Sequence, residues 1–318
     1  MNMLFASISI ISGIALIWIS AEKLEKYSVI VARDFGFSPF FIGSTVIAFG
    51  TSAPEMLTTF FVALENQGVM IIGNVIGSNV ANLSLVFGSM LLVLAIKNTY
   101  IREEAAIRKN LIILIASSLL VWLIIAINPF SFFSSIILLF SLGCVIFIWY
   151  KNGKSQDEEI EMIHEQKGAL IKLILSIIFL VFAAWLITFG ANLVLNKYNF
   201  GQLFIGYTIL AIGTSLPEIA ASISLATKGR FETVSGTLIG SNIFNGLCVL
   251  AIPGLFLESE MSQGWSYADW SNLLIFLFFI TSFFALYTFL ISVSQRKANI
   301  YLGLFFLSSY FISLYFAY

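Results

Sequence analysis

What this chain has least of is charge. Asp, Glu, Lys and Arg make up 10% of its 318 residues, against roughly a quarter in a soluble domain, and that excludes a fold that faces water on all sides. The charges nearly cancel, leaving a net −1. With no basic stripe to neutralise phosphates, nucleic acid is excluded as a partner. There are two cysteines, Cys144 and Cys248, and one histidine, His164. Both cysteines fall in apolar segments, where a thiol behaves as a small hydrophobe. Strand-like alternation over about ten residues is missing, which excludes an outer-membrane barrel. The N-terminus lacks a basic n-region and a small-residue cleavage site, so its first apolar run is read as a retained helix. No nucleophile is grouped with a base, and His164 lies outside every apolar span, so covalent catalysis and a cofactor are not expected.

What the chain has is apolar length. It is 59% hydrophobic with a mean hydropathy of +0.97, and segments of about 18 to 25 apolar residues recur from end to end, each long enough to cross a bilayer as a helix. Ten helices are expected, near residues 4–20, 40–64, 69–96, 111–127, 132–150, 169–195, 204–228, 232–254, 272–293 and 300–316. The first may run on through Ala21-Glu22-Lys23-Leu24, and Phe37-Ser38-Pro39 marks a break before the second. One connection is clearly hydrophilic, Lys151 to Lys167, with the acidic run Asp157-Glu158-Glu159-Ile160-Glu161 and His164. It is read as a solvated cytoplasmic linker, 151–168, between units 1–150 and 169–318; a regulatory cation site there is the weaker alternative. Glu258, Glu260 and Asp269 are read as exposed residues of an outer loop.

Ten spans place fifteen of the sixteen basic residues on one side of the membrane, leaving Lys197 alone on the other. The positive-inside rule makes the crowded side cytoplasmic, with both termini outside. Five helices per half is an odd number, so the second half enters the membrane inverted. The expected fold is therefore an all-α membrane protein, ten transmembrane helices arranged as two inverted five-helix repeats, a recurring plan of secondary transporters.

The halves carry the same polar motif. Gly50-Thr51-Ser52-Ala53-Pro54-Glu55 reappears as Gly213-Thr214-Ser215-Leu216-Pro217-Glu218, and Gly77-Ser78-Asn79-Val80-Ala81-Asn82 as Gly240-Ser241-Asn242-Ile243-Phe244-Asn245. One offset of 163 residues aligns Gly43–Asn82 with Gly206–Asn245 without a gap. A carboxylate at the bilayer centre costs on the order of 2.5 to 3.5 kcal/mol, and no lysine or arginine lies inside a span at the depth of Glu55 and Glu218. These glutamates are therefore protonated or paired with bound cations. Pro54 and Pro217 remove helical hydrogen bonds and free carbonyls near Gly50-Thr51 and Gly213-Thr214. Ser52, Ser215, Ser78, Ser241, Asn82 and Asn245 add neutral oxygens. An oxygen-only set suits a hard cation, Ca²⁺ or Na⁺, whereas Cys, His and Met do not cluster as a soft metal requires. Alternative roles stay open. Gly73 with Gly77 and Gly236 with Gly240 match close helix packing, and a membrane serine, threonine or asparagine can serve only to join helices.

Gly36-Phe37-Ser38-Pro39-Phe40-Phe41-Ile42-Gly43, continuing through Thr45 to Glu55, together with Gly206 to Glu218, resembles the alpha repeats of the sodium/calcium exchanger family in the cation/calcium antiporter superfamily. The resemblance covers the ten-helix plan and is specific over roughly 80 residues, 40 per repeat. It implies that Glu55 and Glu218 are shared carboxylates of a central cluster of cation sites. Carbonyls of Ala48, Thr51, Ala211 and Thr214, and side chains of Ser52, Ser78, Asn82, Ser215, Ser241 and Asn245, complete that cluster. It also implies that Ca²⁺ and Na⁺ compete there and that helices 1 and 6 slide to alternate access. Some family members carry aspartate where this chain has Asn245, so two formal negative charges stand here in place of three, which opens the ion stoichiometry.

The expected function is exchange of Na⁺ for Ca²⁺ across the cytoplasmic membrane. The lipid bilayer is its surroundings, and no obligatory protein partner is evident. A potassium-dependent or proton-coupled calcium exchanger is the alternative. Proton coupling is disfavoured because Gly73-Asn74-Val75-Ile76-Gly77 lacks the Gly-Asn-x-x-Glu signature of calcium/proton exchangers. A cation channel, the rival of another class, would show flux without a counter-ion.

Overall fold

The computed structural model describes residues 2–33, 39–97, 105–152, 168–198, 200–227, 229, 231–256, 271–290 and 296–318. Most of the linker with His164, the acidic run, Arg102, Lys154, Lys167, Lys228 and Arg230 lie outside the described residues, as do Phe37, Ser38, Glu258, Glu260 and Asp269.

All described secondary structure is helical, as apolar segments in hydrocarbon require, because a helix satisfies its own backbone. The ten helices are α1 (Asn2–Arg33), α2 (Ile42–Leu64), α3 (Gly68–Lys97), α4 (Ala105–Ile127), α5 (Phe132–Asn152), α6 (Ala169–Tyr198), α7 (Gln202–Thr227), α8 (Thr233–Phe256), α9 (Ser271–Leu290) and α10 (Arg296–Ala317). They form two inverted five-helix repeats. α1 is much longer than its apolar run. Glu22, Lys23 and Lys26 interrupt hydrophobicity without interrupting helix propensity, and the helix continues to Arg33.

The repeats interlock through backbone that approaches very closely. A Cβ on Gly77 would stand 2.7 Å from Ala211 Cβ and 2.9 Å from the Tyr207 carbonyl; on Gly240 it would stand 2.6 Å from Ala48 Cβ and overlap the Ser44 carbonyl. Moving Gly77 forward by 163 residues and Ala211 and Tyr207 back by 163 turns the first set into the second, so the two contacts are related by the internal symmetry. Gly73 and Gly236 make equivalent approaches to Leu203 and Phe40, and the small-residue spacing in the sequence is therefore a packing device.

α1 and α6 cross antiparallel. Gly13 meets Ala183 and Ile187, Gly190 meets Ala6 and Ile10, and the Ser9 hydroxyl donates to the Leu186 carbonyl at 2.7 Å. On their outer sides both helices expose large apolar residues, among them Leu4, Ile8 and Ile11 of α1 and Ile178, Phe182 and Trp185 of α6, as a lipid-facing pair should. Phe87 of α3 packs edge-on against Phe284 of α9 and Phe306 of α10, at 4.2 and 5.1 Å between centroids, tying the two repeats together away from the centre.

Charged ends sort to two faces. Lys97, closing α3, donates to the Thr227 carbonyl at the end of α7 at 2.9 Å, and Lys172 at the start of α6 lies over the Tyr27 ring of α1 at 5.4 Å. At the other face, Glu65 after α2 meets Asn192 near the end of α6.

Candidate functional site

Both glutamates sit where the repeats meet, fully buried, and each is held by a helix that departs from regular geometry. In α2 the helix breaks at Ser52 (φ −82°, ψ −2°), and Pro54 opens the next segment, whose first turn carries Glu55. In α7, Pro217 lies inside a continuous helix, Ala211–Thr227. The sequence pattern points to equivalent proline disruptions, and the structure makes only the first a visible break.

A second irregularity is fourfold. π-helical turns span Ile42–Ile47, Asn82–Val86, Gly206–Leu210 and Asn245–Val249, at positions related by the 163-residue offset. One π-turn pair precedes the Gly-Thr-Ser-x-Pro-Glu motifs, and the other begins at Asn82 and Asn245. A π-turn inserts a residue and rotates the remainder of the helix about its axis, and such turns concentrate at functional sites.

The expected residues converge. Thr51, Ser52, Glu55, Ser78, Asn82, Thr214, Ser215, Glu218, Ser241 and Asn245 are all within 1% of complete burial. Ser215 Oγ donates to Glu55 Oε1 at 3.5 Å, and Thr214 and Ser78 also flank that carboxylate. Thr51 flanks Glu218, and its hydroxyl lies 3.2 Å from Ser241 Oγ. Each glutamate is thus bordered by hydroxyls of the opposite repeat. Ala48 and Ala211 are buried on the same helices. The Ala48 carbonyl accepts the Ser52 N–H at 2.9 Å and the Thr51 hydroxyl at 3.3 Å, so both its lone pairs are engaged. The Ala211 carbonyl has the Thr214 hydroxyl at 3.5 Å, a group that also donates to Leu210 at 2.9 Å.

What these groups lack is partners. Among the described residues, Ser52 Oγ, Ser78 Oγ, Glu55 Oε2, both Glu218 oxygens and both polar atoms of Asn82 and Asn245 are buried without a hydrogen bond. Those are nine atoms, and each would cost about 1–3 kcal/mol if left so, a sum rivalling the roughly 5–15 kcal/mol stability of a whole domain. The site must therefore be filled by ions or water. Two carboxylates among neutral oxygens, with no side-chain cation of the described residues beside them, select positive charge.

The sequence reading passed over a polar layer one turn beyond Glu55. Asn74 Nδ2 donates to Thr59 Oγ1 at 3.2 Å and Thr58 Oγ1 at 3.4 Å, while the Thr58 hydroxyl donates to the Pro54 carbonyl at 2.9 Å. Its signal was present, since Thr58 and Thr59 follow Glu55 by three and four residues on one helical face. The second repeat has Ala221 in place of Thr58, so this layer is not duplicated.

Comparison with known proteins gives a consistent picture. The model of the sodium/calcium exchanger protein family matches residues 5–151 and 168–318. A candidate antiporter, CaxA of Alkalimonas amylolytica, is 32% identical over 79% of this chain and 80% of its own length. The sodium/calcium exchanger MaX1 of Methanosarcina acetivorans is 24% identical over 84% of this chain and 94% of its own. Among solved structures, the sodium-calcium exchanger NCX_Mj, soaked with Na⁺ and Sr²⁺, superimposes with a TM-score of 0.71 at 27% identity, covering 99% of both chains.

Proposed function

This chain belongs to the sodium/calcium exchanger protein family, and from that membership and the buried carboxylate pair we propose that it exchanges Na⁺ for Ca²⁺ across the cytoplasmic membrane by alternating access. The observation that carries the reading is the set of unpartnered oxygens around Glu55 and Glu218, drawn from both repeats. Glu55 and Glu218 supply the charge. Ser52, Ser78, Asn82, Ser215, Ser241 and Asn245 supply neutral side-chain oxygens, and the carbonyls of Ala48, Thr51, Ala211 and Thr214 are assigned as backbone ligands, that of Ala48 once the Thr51 hydroxyl turns from it to the ion. Oxygens in such number suit Ca²⁺, which takes six to eight in flexible geometry.

Coupling follows from charge. One Ca²⁺ or two Na⁺ compensate the two carboxylates, whereas an empty site would carry uncompensated charge through a dry interior, which is costly. Only the loaded states cross readily, so one ion leaves as the other enters. A third Na⁺ would make the exchange electrogenic. The packed pair α1 and α6, facing lipid on its outer side, is the element we assign to the sliding motion. The basic face, with Lys97 and Lys172, is cytoplasmic, and both termini are outside. Support for exchange over simple conduction comes from the inverted repeats, which give two related arrangements around one fixed site.

Radiolabelled Ca²⁺ uptake into Na⁺-loaded proteoliposomes, on dilution into Na⁺-free buffer, tests the proposal. Uptake that requires internal Na⁺ and persists without K⁺ or a pH gradient is expected. Uptake that needs K⁺, or that follows a pH gradient and ignores Na⁺, would move the protein to another exchanger type; uptake without any counter-ion would make it a channel.

A further inference from the structure

The polar layer behind Glu55 exists in one repeat only, and its bonds run to the backbone that carries the carboxylate. The Thr58 hydroxyl lies 2.9 Å from the Pro54 carbonyl and 3.1 Å from that of Glu55 itself, a back-bond that braces the turn after the break at Ser52. From α3, Asn74 Nδ2 reaches across to Thr59 Oγ1 at 3.2 Å and Thr58 Oγ1 at 3.4 Å. Thr58, Thr59 and Asn74 are all completely buried.

The direction of these bonds fixes the orientation of the amide. A threonine hydroxyl has one hydrogen, and that of Thr58 is shared between the two carbonyls, so only its lone pairs are left for α3. Asn74 therefore presents its N–H side, and among the described residues its Oδ1 is buried without a hydrogen bond. An apolar side chain would fill the same space without stranding an acceptor; what the asparagine adds is a fixed register between two helices. Asn74 and Ser78 are four residues apart on one face of α3, and Ser78 flanks Glu55. The clamp thus ties the backbone of Glu55 to the helix that carries Ser78 and Asn82.

No equivalent clamp stands behind Glu218. The 163-residue offset puts Ala221, Ser222 and Thr237 where the first repeat has Thr58, Thr59 and Asn74. Thr237 donates within its own helix, to the Thr233 carbonyl at 2.9 Å, and Ser222 Oγ is buried without a hydrogen bond among the described residues.

We propose that Thr58 and Asn74 are positioning residues that fix Glu55 against Ser78 and thereby set the preference of the central site for Ca²⁺ over Na⁺. A single Ca²⁺ has to be reached by both carboxylates, so its binding needs Glu55 held where Glu218 can meet it. Two Na⁺ can each follow one carboxylate. The inference rests on the proposed exchange of these two ions and names what sets the selectivity between them.

Equilibrium Ca²⁺ binding to the purified full-length protein, with Na⁺ affinity read by competition, tests it. Thr58→Val keeps the shape and removes the hydroxyl. It should weaken Ca²⁺ roughly three- to tenfold, the equivalent of one hydrogen bond, and Na⁺ by less, so that the Ca²⁺/Na⁺ affinity ratio falls. Thr58→Ser restores the hydroxyl and should return the ratio to that of the parent. Asn74→Leu should resemble Thr58→Val, and the double variant should go no further, because the two residues act as one unit. Thr237→Val, the counterpart in the second repeat, should leave the ratio unchanged. An equal loss for both ions, a Thr58→Ser protein no better than Thr58→Val, or a ratio moved as far by Thr237→Val would overturn the proposal, since loosened helix packing alone produces those results. If binding follows the expected pattern while proteoliposomes show no exchange, the proposed function fails and the positioning role stands. If exchange occurs and Thr58→Val leaves the ratio unchanged, the positioning role fails and the function stands. A parent protein that binds neither ion would overturn both.

Discussion

Thr51 Oγ1 and Ser241 Oγ lie 3.2 Å apart, joining α2 of the first repeat to α8 of the second. Their counterparts under the 163-residue offset, Thr214 and Ser78, flank Glu55. Glu55 is therefore lined by hydroxyls from both halves and Glu218 by Thr51 of the opposite one, and neither repeat can form the site alone. That dependence makes the inverted duplication a mechanical requirement of the site.

Replacing either glutamate should remove ion binding without unfolding the protein. Losing one charge partner from a dry site costs about 3–5 kcal/mol, so Glu55→Gln and Glu218→Gln should each lower Ca²⁺ affinity by roughly 100-fold or more. Exchange in proteoliposomes should fall to background. Thermal unfolding in detergent checks the fold: both variants should melt cooperatively but lack the Ca²⁺-dependent rise in Tm expected of the parent.

The close approaches at Gly77 and Gly240 leave no room for a methyl group. Overpacking of this kind costs about 1–3 kcal/mol, so Gly77→Ala and Gly240→Ala should each lower Tm in detergent. Because the two contacts are related by symmetry, the two decreases should be similar. An unchanged Tm in either variant would mean that the repeats do not pack this closely.

The second repeat carries a lock that the first lacks. Tyr207 donates to Ser313 Oγ at 2.5 Å, and Tyr310 donates to the Tyr207 carbonyl at 3.1 Å, holding α10 on the π-turn of α7. Tyr207→Phe and Tyr310→Phe should each cost about 0.5–1.5 kcal/mol. In a double-mutant cycle their effects on Tm should not be additive, since both bonds close one unit.

Much of this was legible in the sequence because the causes are local. Apolar length defines the spans, and the repeated Gly-Thr-Ser-x-Pro-Glu names Glu55 and Glu218 before any coordinates. The four π-turns were not legible. Two of them, Ile42–Ile47 and Gly206–Leu210, lie where backbone from one repeat presses on backbone from the other, as Gly77 does on Tyr207, and no residue within the four turns signals an inserted position. The length of α1 was underestimated because charge ends a hydrophobic run without ending a helix. The meeting of Glu65 with Asn192, 127 residues apart, depends on how α6 lies against α2, and a linear reading carries no trace of it. Pro54 and Pro217 looked equivalent, yet only the first segment breaks visibly, at Ser52.

The most direct test of the account is equilibrium Ca²⁺ binding to the purified protein as a function of Na⁺. A shared site built on two carboxylates predicts that Na⁺ displaces Ca²⁺ competitively and cooperatively, with at least two Na⁺ replacing each Ca²⁺, and that Glu55→Gln abolishes the high-affinity component. Calcium binding that is indifferent to Na⁺, or that survives Glu55→Gln unchanged, would contradict the claim that one buried glutamate pair serves both ions.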